Sequence, residues 1–174
     1  MTSNQLRVLI SAKRLQQRIA ELGKEIRSVY GQDNIACICV LKGASLFTSD
    51  LIRRIGGDTE IHFVQVASYH GSMSSSGELS LLIPLQADLS NKHVLVIEDI
   101  VDTGLTLQYL QSYLQSFNPL DVKVVSLLDK PSNREVEVNV DFIGFSIPNE
   151  FVVGYGLDYQ ERFRNLDHVA VFVP

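Results

Sequence analysis

An apolar run, IACICVL at positions 35–41, constrains the fold more than any other stretch of this chain. A strand that faces solvent on one side alternates apolar and polar residues, so an unbroken apolar run predicts a strand buried on both faces. Strands of this kind occur in parallel sheets that helices cover on both sides. The chain has 174 residues, of which 45% are hydrophobic, and this is enough to build such a core.

Strand-like and helix-like segments alternate up to residue 129. An amphipathic helix is predicted over 11–31, with Ser11 as its N-cap and Gly31 at its end. The other predicted segments are strands at 60–69, 78–83, 93–99 and 121–129, and helices within 42–57 and 106–117. This alternation predicts an α/β fold with a central, mainly parallel sheet flanked by helices.

Beyond residue 129 the alternation stops, and short strands and loops follow. We therefore predict one domain over 1–174 with a small hood lobe. The lobe would be formed mainly by residues 130–174, together with the N-terminus, and would cover one end of the sheet.

Composition and charge argue against several classes of partner. The net charge is −5 and no basic run is present, so nucleic acid is not expected as a partner. No apolar run reaches the roughly 20 residues that span a bilayer, and the N-terminus does not look like a signal peptide. We expect a cytoplasmic protein without a membrane partner. Cys37 and Cys39 are interpreted as reduced core thiols, because no second Cys/His cluster accompanies them.

The stretch VLVIEDIVDTGLTL, at 94–107, brings three carboxylates to one strand end and then opens a helix. Ligands of parallel α/β sheets bind beyond the carboxyl ends of the strands, and a helix N-terminus suits a phosphate. Carboxylates beside a phosphate require ribose hydroxyls or a divalent cation between them. A capped helix with solvated acids would explain a lone acidic pair. The full pattern instead favours a sugar-phosphate site with a metal nearby.

The same stretch resembles the phosphoribosyl-diphosphate binding motif of the type I phosphoribosyltransferases. Further segments resemble the hypoxanthine/guanine branch and occur in that family's order: VLKG at 40–43, SY at 68–69, LLDKP at 127–131, and IGFSIPNEFVVGYGLDYQERFRNL at 143–166. The resemblance covers nearly the whole chain. It implies the type I phosphoribosyltransferase fold and a purine-salvage enzyme that transfers the phosphoribosyl group to hypoxanthine, and to guanine.

The resemblance implies roles for the residues of the acidic strand end. Asp102 would be the catalytic residue, handling the proton on N7 of the purine as general acid or base. Glu98 and Asp99 would bind the ribose hydroxyls. The 5′-phosphate would bind the loop Asp102, Thr103, Gly104, Leu105 and Thr106, with the side chain of Leu105 directed away from it.

The resemblance also places the other end of the donor and the mobile loop. Pyrophosphate would contact Arg164 and the loop Leu41, Lys42 and Gly43, whose Leu–Lys bond resembles the cis peptide of the family. Ser68 and Tyr69 begin a segment rich in glycine and serine that resembles the family's mobile loop. Such a loop shields a cationic sugar centre from water.

Three further residues would bind the purine itself. Lys130 would donate to the 6-oxo group, Phe151 would stack on the ring, and the backbone of Val152 would bind the edge of the base. Lys130 argues against adenine, because an ammonium group has no acceptor for an exocyclic amine.

Mg²⁺ is the implied cofactor. Asp158 would bind a metal ion shared with pyrophosphate, and Glu98 and Asp99 either bind metal directly or bind only the ribose hydroxyls. Family members usually form dimers or tetramers, so a homodimer or homotetramer is expected, with phosphoribosyl diphosphate and 6-oxopurine bases as the other partners.

Three alternatives stay open. A phospho-accepting receiver domain would need an acidic pair after its first strand, where this chain has Lys42 and Gly43. An RNA-binding, nucleotide-sensing regulator of the same fold would need a basic face. A phosphoribosyltransferase that prefers xanthine differs from the main hypothesis only in the base.

Overall fold

The computed structural model describes residues 5–68 and 79–173. Within these ranges the elements are β1 (Gln5–Ile10), α1 (Ala12–Tyr30), β2 (Ile35–Leu41), α2 (Ser45–Ile55), β3 (Thr59–Ser68), β4 (Leu79–Ile83), β5 (His93–Val101), α3 (Leu105–Gln115), β6 (Asp121–Asp129), β7 (Phe142–Ser146), β8 (Val152–Val153) and β9 (Val169–Val173). A short 3₁₀ turn, Pro131–Asn133, follows β6. The predicted caps of α1 are confirmed, because Ser11 Oγ accepts a hydrogen bond from Arg14 N and Gly31 N donates to Arg27 O.

Six strands form the main sheet, in the order β4-β3-β2-β5-β6-β7. All neighbours are parallel except β3 and β4. The predicted α/β fold with a mainly parallel sheet is confirmed. Cys39 of β2 pairs with Ile97 of β5, and Val101 of β5 pairs with Asp129 of β6. The carboxyl ends of these three central strands therefore lie side by side at one edge.

Helices cover both faces of the main sheet. Strand β5 illustrates the division, because successive side chains of a strand point to opposite faces. Leu95 and Ile97 pack in one apolar cluster with α1 and α2, whereas Val94 and Val96 pack in another with α3. Among the described residues, no helix is long and apolar enough to cross a membrane.

The two cysteines are buried free thiols, as predicted. Burial raises the pKa of Cys37 to about 12 and also raises the pKa of Cys39. A thiol with such a raised pKa is a poor nucleophile at neutral pH, which fits a role in the core.

A second, smaller sheet joins the two ends of the described chain. Its three strands run antiparallel in the order β1-β9-β8. The apolar cluster that contains α1 and α2 also receives residues from this sheet, namely Ile10, Val152, Val169 and Val171. Residues 154–168 connect β8 to β9 of the small sheet.

One segment of the range 130–174, from which the small lobe was mainly predicted to form, belongs to the main sheet. Residues 142–146 form β7, which pairs in parallel with β6 in the main sheet. Glycine at position 144 permits this pairing, because an added Cβ would overlap the Leu127 carbonyl of β6.

Candidate active site

Two of the predicted acidic residues lie at the carboxyl edge of the main sheet, near the end of β5. Glu98 is 5% exposed and Asp99 is partly buried. Asp99 Oδ1 accepts a hydrogen bond from Ile100 N at 2.8 Å. The loop after β2 approaches the same carboxylate, and an added Cβ at Gly43 would overlap Asp99 Oδ2.

Desolvation dominates the electrostatics of this acidic pair. Burial raises the pKa of Glu98 well above its usual range, and the neighbouring Asp99 raises it further. Burial also raises the pKa of Asp99 to about 6, although the hydrogen bond from Ile100 opposes the rise. A cation or hydroxyl donors would stabilise the charged form of two carboxylates that are buried in this way.

After β5 the chain forms a loop that leads into α3. Gly104 has φ of 89°, a left-handed conformation that glycine adopts without strain. Thr103, Gly104 and Thr106 line one hollow together with Glu98 and Asp102. The free N–H groups of the helix start and the threonine hydroxyls suit a phosphate there. Leu105, which begins α3, is outside the lining of this hollow.

Lys130 directly follows β6 and lies beside Asp102. Its side chain is 8% exposed, and its Nζ lies 3.5 Å from Asp102 Oδ2. Lys130 N also donates to Val101 O at 3.0 Å, which ties the ends of β5 and β6 together. Asp102 Oδ1 is buried and has no hydrogen-bond partner among the described residues. An unpaired buried acceptor beside a buried ammonium indicates where the polar edge of a ligand would complete the hydrogen bonding.

A second hollow shares Glu98, Ile100 and Thr106 with the first. Lys42, Gly43, Asp99, Asp158 and Arg164 are among the residues that line it. The peptide bond between Leu41 and Lys42 is cis, as the resemblance implies. Two cationic groups and three carboxylates therefore line this hollow together, an arrangement that suits an anion bound together with a metal ion.

Arg164 and Asp158 are held by the segment between β8 and β9. Arg164 Nη2 pairs with Asp158 Oδ1 at 2.9 Å, and Arg164 Nη1 donates to Gly156 O at 2.7 Å. An added Cβ at Gly156 would overlap the Gly43 carbonyl. This glycine contact brings the segment against the loop after β2, so that residues far apart in sequence share one hollow.

The carboxylates of the second hollow fit a metal ion that is shared with a ligand. Among the residues that the structure describes, no group of three or more His, Cys, Asp or Glu side chains is arranged to hold a metal. Glu98, Asp99 and Asp158 nevertheless line the same hollow. Mg²⁺ is commonly bound by one or two carboxylates, with substrate phosphate oxygens and water completing its ligands.

Two of the three predicted base-binding residues, Phe151 and Val152, lie at the edge of the small sheet. Phe151 is 52% exposed, and its ring meets the rings of Tyr159 and Phe172 edge-on at 5.9 and 6.0 Å between centroids. Val152 is buried in β8, which pairs only with β9 within the described sheet. An exposed aromatic face and the outer backbone edge of β8 are therefore both available to a flat ligand.

Residues 10–160, which are most of the chain, match the family model of the phosphoribosyl transferase domain. The chain belongs to the phosphoribosyl transferase family.

Curated relatives of this phosphoribosyl transferase domain are similar over nearly all of it. The hypoxanthine-guanine phosphoribosyltransferase of Bacillus subtilis is 45% identical over 168 residues, 97% of this chain and 93% of that protein. The protein of the same name from Mycobacterium tuberculosis is 46% identical over 174 residues, 96% of this chain and 86% of that protein. The bifunctional TilS/HprT protein of Listeria monocytogenes is 46% identical over 97% of this chain, but this chain spans only 26% of its length.

Solved structures agree with the phosphoribosyl transferase fold. A hypoxanthine-guanine phosphoribosyltransferase from Bacillus anthracis has a TM-score of 0.91 at 37% identity, covering 98% of this chain and 100% of that chain. A hypoxanthine phosphoribosyltransferase from Staphylococcus aureus has a TM-score of 0.91 at 41% identity, covering 97% and 91%. The fold implied by the sequence resemblance is therefore confirmed.

Ser68 and Tyr69 are the two predicted site residues at the start of the predicted mobile loop. Ser68 ends β3, where its backbone pairs with Leu79 of β4. Tyr69 lies outside the described residues, as does the rest of the predicted mobile loop.

One residue of this phosphoribosyl transferase domain was missed by the sequence analysis. Glu161 Oε1 pairs with Lys42 Nζ at 3.0 Å, and Glu161 Oε2 pairs with Arg164 Nη2 at 3.2 Å. The hydrogen bond from Lys42 is the main reason why the pKa of Glu161 is lowered. The carboxylate of Glu161 therefore forms ion pairs with both cationic groups of the second hollow. No local pattern signals this, because Lys42 and Glu161 lie 119 positions apart.

Replacing Asp99 with Asn should raise the melting temperature of the ligand-free protein. The raised pKa means that the folded state binds a proton more tightly than the unfolded state, so the ionised carboxylate costs stability above pH about 6. The cost declines as the pH falls towards the ordinary value of 3.8. We expect the increase in melting temperature to be smaller at pH about 4.5 than at pH about 7.5, as measured by calorimetry in the presence of chelator. An equal gain at both pH values would contradict this, and exposed Asp58→Asn is the control.

Replacing Glu161 with Gln should tighten the binding of inorganic pyrophosphate. The amide keeps the shape of the side chain but releases Lys42 and Arg164 from its charge. Because exposed ion pairs are weak, we expect only a roughly two- to fivefold lower Kd, measured by titration calorimetry with Mg²⁺. Glu21→Gln on α1, where the acid pairs with Arg18, is the control. Unchanged or weaker binding would show that Glu161 does not compete with the anion.

Proposed function

We propose that this chain transfers the 5-phosphoribosyl group of phosphoribosyl diphosphate to hypoxanthine, and to guanine, and releases pyrophosphate. This would be a purine-salvage reaction in the cytoplasm. The observation that carries the proposal is the buried Lys130 beside Asp102, whose second carboxylate oxygen is buried and has no partner within residues 5–68 and 79–173. The names of the similar proteins support the same reaction.

The pair of Lys130 and Asp102 suits the O6–N7 edge of a 6-oxopurine. Lys130 Nζ would donate to O6, and Asp102 would accept the proton that N7 carries in one tautomer of the free base. Adenine presents an amine at position 6, so the buried ammonium would face a donor instead of an acceptor. A buried polar group that loses its partner costs about 1–3 kcal/mol, and more if it is charged.

Proton transfer to Asp102 would accompany the bond change at the sugar. N9 of the base forms a bond to C1′ of the ribose, while the bond from C1′ to the pyrophosphate oxygen breaks and pyrophosphate leaves with the electron pair. The proton on N7 passes to Asp102, so that the nucleotide leaves with a neutral base. A positioned general base of this kind contributes about 10²–10⁴-fold to a rate.

The two hollows, which share Glu98, would hold the two ends of the donor. The 5′-phosphate would bind the loop that contains Thr103, Gly104, Leu105 and Thr106, and the ribose hydroxyls would bind Glu98 and Asp99. The second hollow would take pyrophosphate, with contacts from Lys42 and Arg164. C1′ would then lie between the two bound ends, where the nearby carboxylates would favour the positive charge that develops on the sugar.

We propose Mg²⁺ as the cofactor, with Asp158 and the pair of Glu98 and Asp99 as the protein groups that fit it. When bound, Mg²⁺ would supply positive charge next to the departing pyrophosphate. The raised pKa of Asp99, caused mainly by burial, supports the assignment, because a cation would favour its ionised form.

We also propose that the protein works as a homodimer or homotetramer. Support comes from an apolar surface on the β3–β4 edge of the main sheet, formed by the exposed residues Ile61, Phe63, Leu82 and Ile83. Exposed apolar patches on folded proteins commonly mark an interface.

A panel of bases tests the proposed reaction. Purified protein is incubated with phosphoribosyl diphosphate, Mg²⁺ and hypoxanthine, guanine, xanthine or adenine, and both nucleotide and pyrophosphate are measured. We expect hypoxanthine and guanine to react, adenine to be rejected by roughly 10⁴-fold in kcat/KM, and turnover to stop in excess chelator. Lys130→Gln should narrow the ratio of hypoxanthine to adenine, whereas Lys13→Gln on the exposed side of α1 should not.

Adenine used within about tenfold of hypoxanthine would overturn the assignment of Lys130 to O6. Exclusive use of xanthine would instead favour the xanthine-preferring alternative. Absence of turnover with every base, together with tight nucleotide binding, would favour the nucleotide-sensing regulator.

Replacing Asp102 with Asn separates proton transfer from binding. The amide keeps the size of the side chain but cannot take the proton from N7. We expect kcat to fall by about 10²–10⁴-fold, while the KM for phosphoribosyl diphosphate changes little. Asp167→Asn, at a side chain that is 82% exposed, is the control. If kcat is unchanged and only the KM for the donor rises, Asp102 is a binding residue.

A further inference from the structure

A single arginine joins the two strand ends that carry Asp102 and Lys130. Arg134 lies in the irregular segment between the 3₁₀ turn and β7, and its side chain is 19% exposed. Its Nη1 donates to Val101 O at 2.7 Å and to Asp102 O at 2.5 Å. These carbonyls are consecutive, and they belong to the turn by which the chain leaves β5.

The same guanidinium also reaches the end of β6. Arg134 Nη2 pairs with the carboxylate of Asp129, whose side chain is 7% exposed. Asp129 ends β6 and directly precedes Lys130. One rigid, planar group therefore contacts both chain segments from which the proposed base-binding side chains project.

The residues that follow Arg134 support the next part of the loop. Glu135 N and Val136 N both donate to Thr103 O, at 2.9 and 3.3 Å. An added Cβ at Gly104 would lie 3.0 to 3.2 Å from atoms of Val136 and Val138. The segment 134–138 thus lies against the loop 101–104, and its residues are not part of the lining of the hollow that this loop forms.

We propose that Arg134 is a positioning residue that sets the separation of Asp102 and Lys130. The proposal rests on the proposed function, because those two side chains are there assigned to N7 and O6 of the purine. Arginine suits the task, since its planar fork presents several donors in fixed directions, whereas lysine presents a compact charge on a flexible stem. Arg134 itself has no contact with the base in this role. It acts through the backbone at 101–102 and through Asp129.

Arg18 is a matched control. Its Nη2 donates to Ile143 O at 2.8 Å, its Nε donates to Gly144 O at 3.1 Å, and its Nη1 pairs with Glu25 at 2.6 Å. Its side chain is 23% exposed. Arg18 thus makes the same kind of contacts as Arg134, with two consecutive carbonyls and with carboxylates, here those of Glu25 and Glu21, but it holds α1 against β7.

The experiment compares Arg134→Met, Arg134→Lys and Arg18→Met in the full chain. For each protein we measure the melting temperature, the Kd of phosphoribosyl diphosphate, and kcat and KM for hypoxanthine. We expect Arg134→Met to lower kcat/KM for hypoxanthine by about 10²-fold, because displacements near 1 Å cost that much. The Kd of the donor should change by less than about threefold, because Glu135 N and Val136 N still hold Thr103 O of the proposed phosphate loop through backbone groups that the substitution leaves in place. Arg134→Lys should fall between wild type and Arg134→Met.

Arg18→Met should lower the melting temperature to a similar extent and leave kcat and KM near the wild-type values. If Arg134→Met behaves like Arg18→Met, or if it weakens donor binding as much as it lowers kcat/KM, the positioning role is overturned. If Arg134→Met does not fold, Arg134→Lys must lower kcat/KM for hypoxanthine more than it weakens donor binding. If it does not, the positioning role is likewise overturned. Wild-type protein that binds donor but turns over no purine would overturn the proposed function, and the role of Arg134 with it.

Discussion

The parallel pairing of β2, β5 and β6 is the constraint on which the rest of the structure depends. These strands are buried on both faces, so their backbone groups must find their hydrogen bonds within the sheet. A shift of one residue in register would turn every buried side chain to the opposite face. The register therefore holds the carboxyl ends of the three strands at one edge. The loop after β2, the acidic pair of β5 and Lys130 after β6 meet there as a consequence of core packing.

In the acidic pair, burial next to the core makes the charged groups of the site unfavourable. Glu98 and Asp99 belong to a strand whose preceding residues are fully buried, so both carboxylates are poorly solvated. The pKa of each is raised mainly by burial, which means that the charged form is unfavourable in the absence of a ligand. Functional sites commonly retain such locally unfavourable groups at the expense of stability.

Close backbone contacts connect the small sheet to this edge. Gly156 approaches the Gly43 carbonyl, and Gly43 approaches the Asp99 carboxylate, in each case with no room for a Cβ. This chain of contacts brings Arg164 and Asp158 to the same hollow as Lys42. Arg134 makes a comparable connection at the other hollow through side-chain hydrogen bonds. These glycine contacts and the hydrogen bonds of Arg134 thus shape the two hollows, together with the residues that line them.

The sequence by itself determined the elements whose signal is local. The periodicity and caps of α1, the doubly buried β2, and the carboxylates at the end of β5 all follow from neighbouring residues, and the order of the motifs was sufficient to predict the fold. Only the tertiary structure decided that residues 142–146 extend the main sheet, that Glu161 pairs with Lys42, and that Arg134 joins two strand ends. These contacts link residues between 5 and 119 positions apart, mostly across different elements. Local propensity and periodicity carry no information about such contacts, because they arise only when the packed elements bring distant side chains together.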